Sequence, residues 1–203
     1  MTDKKERNTG DIIQEAGSLS CPVQKAAYYM DAFLKELMCG RCFPCAFGTY
    51  EAAIILMKII SGNAATADID ALRRIADVML TASRCKKGRE TAQFMAELLK
   101  SETFPEHVEG RCPARECISF IEYRIIPEKC ILCGECMKVC RYNAVAGEKK
   151  VAYLSGYLPF EIVSKRCTQC GECMKVCPND AIIIVDKREL AEEIADRQQY
   201  ARP

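Results

Sequence analysis

The sequence predicts two folds in series: a mainly α-helical bundle over residues 21–120, then a smaller α+β domain over residues 121–186. Three observations carry this expectation. Apolar residues between positions 28 and 100 recur at helical intervals. An eleven-residue phrase occurs twice between positions 130 and 177, and 15 of the 203 residues are cysteines, most of them grouped at short, repeated spacings. Polar segments flank the two folds, residues 1–20 as a flexible tail and 187–203 as a terminal helix or tail.

The elements follow in order. Residues 1–20 (MTDKKERNTGDIIQEAGSLS) are polar enough to stay mobile or to dock onto a partner. Residues 28–38 (YYMDAFLKELM) space their apolar side chains by three and four. Residues 49–60 (TYEAAIILMKII) form a second, more apolar helix that Ser61-Gly62-Asn63 stops. Residues 68–83 open with acidic side chains suited to a helix N-terminus, and Ile69, Leu72, Ile75, Ala76, Met79 and Leu80 make one stripe. Residues 89–100 supply a fourth helix, and four short helices with short loops point to a bundle.

The bundle has its own ligand pattern. Cys39-Gly-Arg-Cys42-Phe-Pro-Cys45 reads C-x2-C-x2-C, and Cys85 follows at the end of the third helix. Three ligands in a tight turn plus one remote ligand suit a single [4Fe–4S] cubane. Gly40 lets the backbone wrap closely, and Pro44 is expected to stiffen the turn. Radical enzymes with an open iron also use three cysteines, but favour C-x3-C-x2-C, which is absent here.

The repeat is more specific. Cys130-Ile-Leu-Cys133-Gly-Glu-Cys136-Met-Lys-Val-Cys140 returns 37 residues later as Cys167-Thr-Gln-Cys170-Gly-Glu-Cys173-Met-Lys-Val-Cys177. Each copy is C-x2-C-x2-C-x3-C, the run of bacterial ferredoxins with two [4Fe–4S] clusters, in which the fourth cysteine serves the other cluster. Cys130, Cys133, Cys136 and Cys177 are therefore expected around one cluster, and Cys167, Cys170, Cys173 and Cys140 around the second. The insert between the runs (141–166) alternates apolar residues, as a strand pair or a partner-binding loop does. Its aromatics Tyr153, Tyr157 and Phe160 read first as local core. Residues 190–200 (LAEEIADRQQY) read as a polar helix.

Composition narrows the class. An odd cysteine count and an N-terminus without an apolar run argue against a secreted disulfide scaffold, so metal-bound thiolates in a reducing cytoplasm are expected. The longest apolar stretch, residues 52–57, is too short to cross a membrane. Formal charge is +1, with no basic tail for nucleic acid. Each four-thiolate cubane contributes about −2; three of these and one three-thiolate zinc would bring the loaded chain to roughly −6. Arg41, Arg84, Lys86, Lys87, Lys138, Arg141, Arg166 and Lys175 lie within two residues of a cluster cysteine and are expected to compensate, or else to be ordinary solvated surface.

The stretch Met38-Cys-Gly-Arg-Cys-Phe-Pro-Cys-Ala-Phe-Gly48 resembles the SCGxCxPCRxG motif of the family of NADH-binding flavoprotein subunits, found in respiratory complex I and in bifurcating hydrogenases. That family places a fourth cysteine further on, where Cys85 stands. Cys112-Pro-Ala-Arg-Glu-Cys117 is similar to the CPAxxC segment of its hydrogenase-type members, which also end in a two-cluster ferredoxin module. The resemblance runs from about residue 21 to 185 and covers only the C-terminal part of such a protein. Ala46 stands for the family's arginine, Leu37-Met38 for Glu-Ser, and Arg141 for a common proline that Pro178 keeps in the second run. The family's FMN and NADH domain has no counterpart in this sequence, and no glycine-rich phosphate loop occurs. Flavin and nicotinamide chemistry is therefore not transferred to the chain.

Cys21, Cys112 and Cys117 remain, with His107 as the one histidine. They complete a Cys3His set of the structural zinc type, and hydrogenase-type relatives place a cysteine and a histidine similarly. Such a zinc is expected to clamp the bundle to the ferredoxin domain. The alternative makes Cys21 a surface thiol, His107 a loop residue and the other two packing residues. No general base, activated serine or open metal position is legible. The expected function is an electron-relay subunit of a hetero-oligomeric oxidoreductase, with three [4Fe–4S] clusters. It would link a catalytic subunit carrying flavin or another metal centre to a ferredoxin, an NAD(P)-linked component or another redox partner. A free-standing carrier and an iron–sulfur enzyme with an open iron are the alternatives.

Overall fold

The computed structural model describes residues 7–148 and 160–190. All of the expected helix at 190–200 beyond Leu190, and the aromatics Tyr153 and Tyr157, lie outside the described residues. The chain divides into two compact units, one ending at Phe120 and the other beginning at Ile121.

The first unit is helical: α1 (Thr9–Ala16), α2 (Pro22–Ala32), α3 (Phe43–Ile60), α4 (Thr66–Ala82), α5 (Lys86–Leu98) and α6 (Thr103–Val108). Helix α1 corrects, over Thr9–Ala16, the flexible tail expected for residues 1–20. Its N-cap Asn8 accepts from the amides of Gly10 and Asp11, and Asp11 accepts in return from the Asn8 amide at 2.8 Å. That reciprocal box starts the helix. Ile12 and Ala16 then lie fully buried, so a segment charged on average still has one face to anchor.

Helix α2 passes directly into a π turn, Phe33–Leu37, in which the Met38 amide donates to the Phe33 carbonyl at 2.9 Å. The extra residue in that turn delivers the chain to Cys39. Helix α3 begins at Phe43, earlier than its periodicity indicates. Pro44 occupies its first turn, where a missing amide costs nothing, so Pro44 starts a helix instead of stiffening a loop. The earlier start makes α3 18 residues long with mean hydropathy 1.4. By length and composition alone it could cross a membrane, unlike the six-residue stretch at its centre. Ala52, Leu56 and Ile59 bury one side of it in the unit's core. In α4, Asp68 caps the Ala65 amide at 2.7 Å and pairs with Lys58 at 2.8 Å, which holds its carboxyl below the usual range. The core gathers Tyr29, Met30, Phe33, Leu72, Met79, Met95 and Phe104. Tyr29 and Phe94 rings lie 4.5 Å apart.

The second unit contains β1 (Ile121–Ile125), α7 (Glu135–Val139), β2 (Val145–Ala146), β3 (Glu161–Ile162), α8 (Glu172–Lys175) and β4 (Ile182–Asp186). Strands β1 and β4 pair antiparallel, Ile121 opposite Asp186, and β2 pairs with β3, Val145 opposite Ile162. The strand that precedes each cysteine run thus pairs with the strand that follows the other run. The cluster of buried apolar residues here is small, Cys136, Val145, Phe160 and Ile182. A core this thin needs a staple to hold it.

Candidate metal centres

The second unit repeats itself in backbone detail as well as in sequence. Leu132 and Gln169 are both left-handed (φ 57 and 58), as are Gly134 and Gly171 (φ 78 and 76), and Asn143 and Asp180 (φ 49 and 45). Left-handed residues within such loops turn successive amides toward one point, a concavity suited to anions. The Ala144 amide donates to Cys140 Sγ at 3.3 Å, and its counterpart Ala181 to Cys177 Sγ at 3.2 Å.

These loops bring the eight cysteines together in two sets of four. Cys130, Cys133, Cys136 and Cys177 line one cavity of ≈ 340 Å³, walled by Ile125, Phe160 and Ile182. Cys140, Cys167, Cys170 and Cys173 line another of ≈ 350 Å³, walled by Tyr123, Val145 and Ile162. The fourth cysteine of each run crosses to the other set. Burial pushes the Cys136 thiol up and the Cys173 thiol up to about 11, where Cys167 adds to the effect. Burial, and then the sulfurs of Cys173, Cys167 and Cys170, also raise the Tyr123 phenol. Four such sulfurs cannot all ionise beside one another unless a positive core lies between them. Soft thiolate donors in sets of four fit an iron–sulfur core. Lys138 and Lys175, expected to compensate or to be ordinary solvated surface, pair with Glu135 and Glu172, each at 2.7 Å.

The first unit has a third set. Cys39, Cys42, Cys45 and Cys85 line a cavity of ≈ 360 Å³ together with Phe33, Leu37, Gly40, Arg41 and Lys87. Cys42 is the N-cap of α3 and Cys85 the N-cap of α5, so two helix N-termini converge on it. Their partial positive charge favours an anionic occupant and adds to the Arg41 and Lys87 side chains that line the cavity. The Arg84 backbone amide holds the Cys42 thiol below its ordinary value, against the opposing effect of burial. Burial pushes Cys45 up to about 11, with Cys42 and Cys85 adding to it.

Cys21, His107, Cys112 and Cys117 are buried, and their ligand atoms all lie within 4.8 Å of one another. His107 Nδ1–H donates to the Thr103 carbonyl at 2.7 Å. That bond turns Nε2 toward Cys117 Sγ at 3.2 Å and Cys21 Sγ at 3.4 Å. The Cys21 and Cys117 sulfurs are 3.9 Å apart, close to the ~3.8 Å that tetrahedral zinc with 2.3 Å bonds requires. Burial alone would push the His107 imidazolium down, but Cys112 and Cys21 outweigh it and bring the group to about 10. Donation from Cys117 and Cys21 drives the Cys112 thiol down, while Cys117 is driven up beside Cys112 and Cys21. A divalent cation would relieve this mutual conflict. Glu116 secures the Cys21 loop by accepting from the amides of Ser20 and Cys21 at 2.7 and 2.8 Å. All four residues belong to the first unit. This set therefore ties the start of α2 to the segment after α6, which corrects the expected clamp between the two folds.

Sequence reasoning missed residues that pack behind the Cys45 side of the bundle cavity. Gly88, in the first turn of α5, passes so close that a Cβ there would lie 3.2 Å from Cys45 Sγ and 2.9 Å from Ser83 Cβ. No motif marks Gly88, Ser83 or Thr49, since only packing brings them to the cysteines.

Comparison with known proteins matches residues 25–111 to the NADH-ubiquinone oxidoreductase-F iron-sulfur binding region and residues 129–181 to the 4Fe-4S dicluster domain. Among curated relatives, the NADP-reducing hydrogenase subunit HndC of Solidesulfovibrio fructosivorans is 31% identical over 133 residues, 64% of this chain and 27% of the relative. An NADH-quinone oxidoreductase subunit of Streptomyces coelicolor is 34% identical over 97 residues, 46% of this chain and 21% of the relative. The NADP(+)-dependent formate dehydrogenase subunit beta of Moorella thermoacetica is 36% identical over 61 residues, 30% of this chain and 9% of the relative. The chain thus spans about a quarter or less of the length of these relatives.

Proposed function

We propose that the chain is an electron-relay subunit of a larger oxidoreductase, corresponding to the C-terminal iron–sulfur part of the NADH-binding flavoprotein family; its matches to the NADH-ubiquinone oxidoreductase-F iron-sulfur binding region and the 4Fe-4S dicluster domain support this. It holds three [4Fe–4S] clusters, one on Cys39, Cys42, Cys45 and Cys85, and two on the crossed sets of the second unit. Cys21, His107, Cys112 and Cys117 hold a structural zinc, which has no redox couple of its own. The clusters supply one-electron, outer-sphere transfer. The protein excludes water from Cys45 and Cys136, aims amides at Cys140 and Cys177, and directs two helix N-termini at the bundle site.

The observation that carries this reading is that twelve cysteines line three cavities, four to each. A partner subunit is supported by α3. Phe43, Phe47, Tyr50, Ile54 and Met57 repeat at helical spacing and are all exposed, and the first two rings stack at 5.2 Å. The stripe starts between two cluster cysteines, and an exposed apolar face of this kind marks an interaction site. Its partner in this reading is the catalytic subunit, carrying flavin or another metal centre. The relatives named above are subunits of a hydrogenase, a quinone oxidoreductase and a formate dehydrogenase, which supports such an assembly. The test is anaerobic purification from the native host with identification of what co-elutes. A redox enzyme subunit in fixed ratio is expected, and a monomer free of partners contradicts the reading.

A further inference from the structure

Two polar side chains at the bundle site are left over by its ligand set. Thr49 lies one turn beyond Cys45 on α3 and is fully buried; Ser83 caps the end of α4 and is 3% exposed. Neither hydroxyl has a hydrogen-bond partner among the described residues. Other threonines in this unit satisfy themselves on their own helix: Thr81 donates to the Asp77 carbonyl and Thr91 to the Lys87 carbonyl, each at 2.9 Å. Thr49 has the same option and does not take it. A buried hydroxyl left unmet is destabilising, so each of the two needs an acceptor.

The acceptor is marked by position. A Cβ built on Gly88 would lie 3.0 Å from Ser83 Oγ and 3.2 Å from Cys45 Sγ. The Ser83 hydroxyl and the Cys45 sulfur thus converge on the space that Gly88 leaves open, with Thr49 following Cys45 by one turn. We propose that Thr49 and Ser83 donate O–H···S hydrogen bonds to the sulfur face at Cys45, and that these bonds raise the reduction potential of the bundle cluster. Reduction adds negative charge at that face, so a donor stabilises the reduced state more than the oxidised one. Hydrogen bonds to sulfur and burial are the protein's means of tuning such a site. Thr49 and Ser83 act here as positioning and tuning residues and ligate nothing.

This inference rests on the reading of Cys45 as a cluster ligand, and its test separates the two. The full chain is prepared anaerobically as wild type, Thr49→Val and Ser83→Ala, and each is titrated by electron paramagnetic resonance. Each lost donor should disfavour the reduced bundle cluster by about tenfold, a fall of about 59 mV for a one-electron couple. The two clusters of the second unit should keep their midpoints, and iron content should not change. An unmoved bundle midpoint with full iron overturns the proposal, as it would if water alone met the hydroxyls. Should either variant lose its cluster, Thr49→Ser and Ser83→Thr decide. Wild-type midpoints in these hydroxyl-keeping variants support hydrogen bonding, whereas loss or a lowered midpoint in them overturns it. A wild type without any bundle signal would instead sink the cluster assignment itself.

Discussion

Replacing His107 with alanine tests the four-ligand site most sharply. The imidazole is buried, packs edge-on against Phe120 at 5.2 Å and donates to Thr103 at 2.7 Å. Losing the ring contact costs about 0.5–1.5 kcal/mol, and an orphaned carbonyl costs about 1–3 kcal/mol. Packing alone therefore accounts for about 2–4 kcal/mol, on the order of 10 °C in melting temperature for a unit of this size. A metal adds a separate signature. With zinc on Cys21, His107, Cys112 and Cys117, a strong chelator should lower the wild-type melting temperature, because the binding energy is part of the folding energy. The His107→Ala protein should start lower, hold markedly less zinc and respond little to the chelator. The assay is zinc quantification beside calorimetry with and without chelator. A variant that keeps one zinc per chain and the full chelator response would refute the assignment of His107 as a ligand.

Three further outcomes follow from the same geometry. Cys177→Ser should damage the cluster held by the first cysteine run and Cys140→Ser that held by the second. Each should change one set of resonance signals, and damage to the cluster of the same run would contradict the crossed arrangement. Cys85→Ala should lose the bundle cluster or convert it, and an unaltered cluster would favour a three-cysteine site with an open iron. Ile12→Ala should destabilise the first unit by about 2–5 kcal/mol, seen as a lowered melting temperature; no change would mean that α1 is not docked.

The parts of this protein written in residue identity were legible, and those created by packing were not. Cysteine spacing specifies which sulfurs one loop can gather, and the crossed sets of 130–177 follow from the likeness of each run to that of two-cluster ferredoxins. Helix α1 was hidden because only Ile12 and Ala16 carry its buried face, within a segment otherwise charged and polar. The start of α3 was hidden because Cys42-Phe-Pro-Cys45 reads as a turn, although proline is tolerated in the first turn of a helix. The π turn at Phe33–Leu37 preserves the apolar pattern of an ordinary helix and leaves no mark of its own. At the bundle site Arg41 and Lys87, legible as cations in the sequence, line the cavity, whereas the starts of α3 and α5 add a positive charge that belongs to the backbone. Thr49 and Ser83 carry no sequence signal at all, since a hydroxyl gains meaning only from what faces it.

Metal content and spin resonance on one anaerobic preparation of the full chain test the central claim most directly. The account expects about 12 Fe and one Zn per chain, and three reducible cubane signals under a strong low-potential reductant. Iron near 8 per chain would remove the bundle cluster, and the absence of any reducible signal would contradict the electron relay altogether.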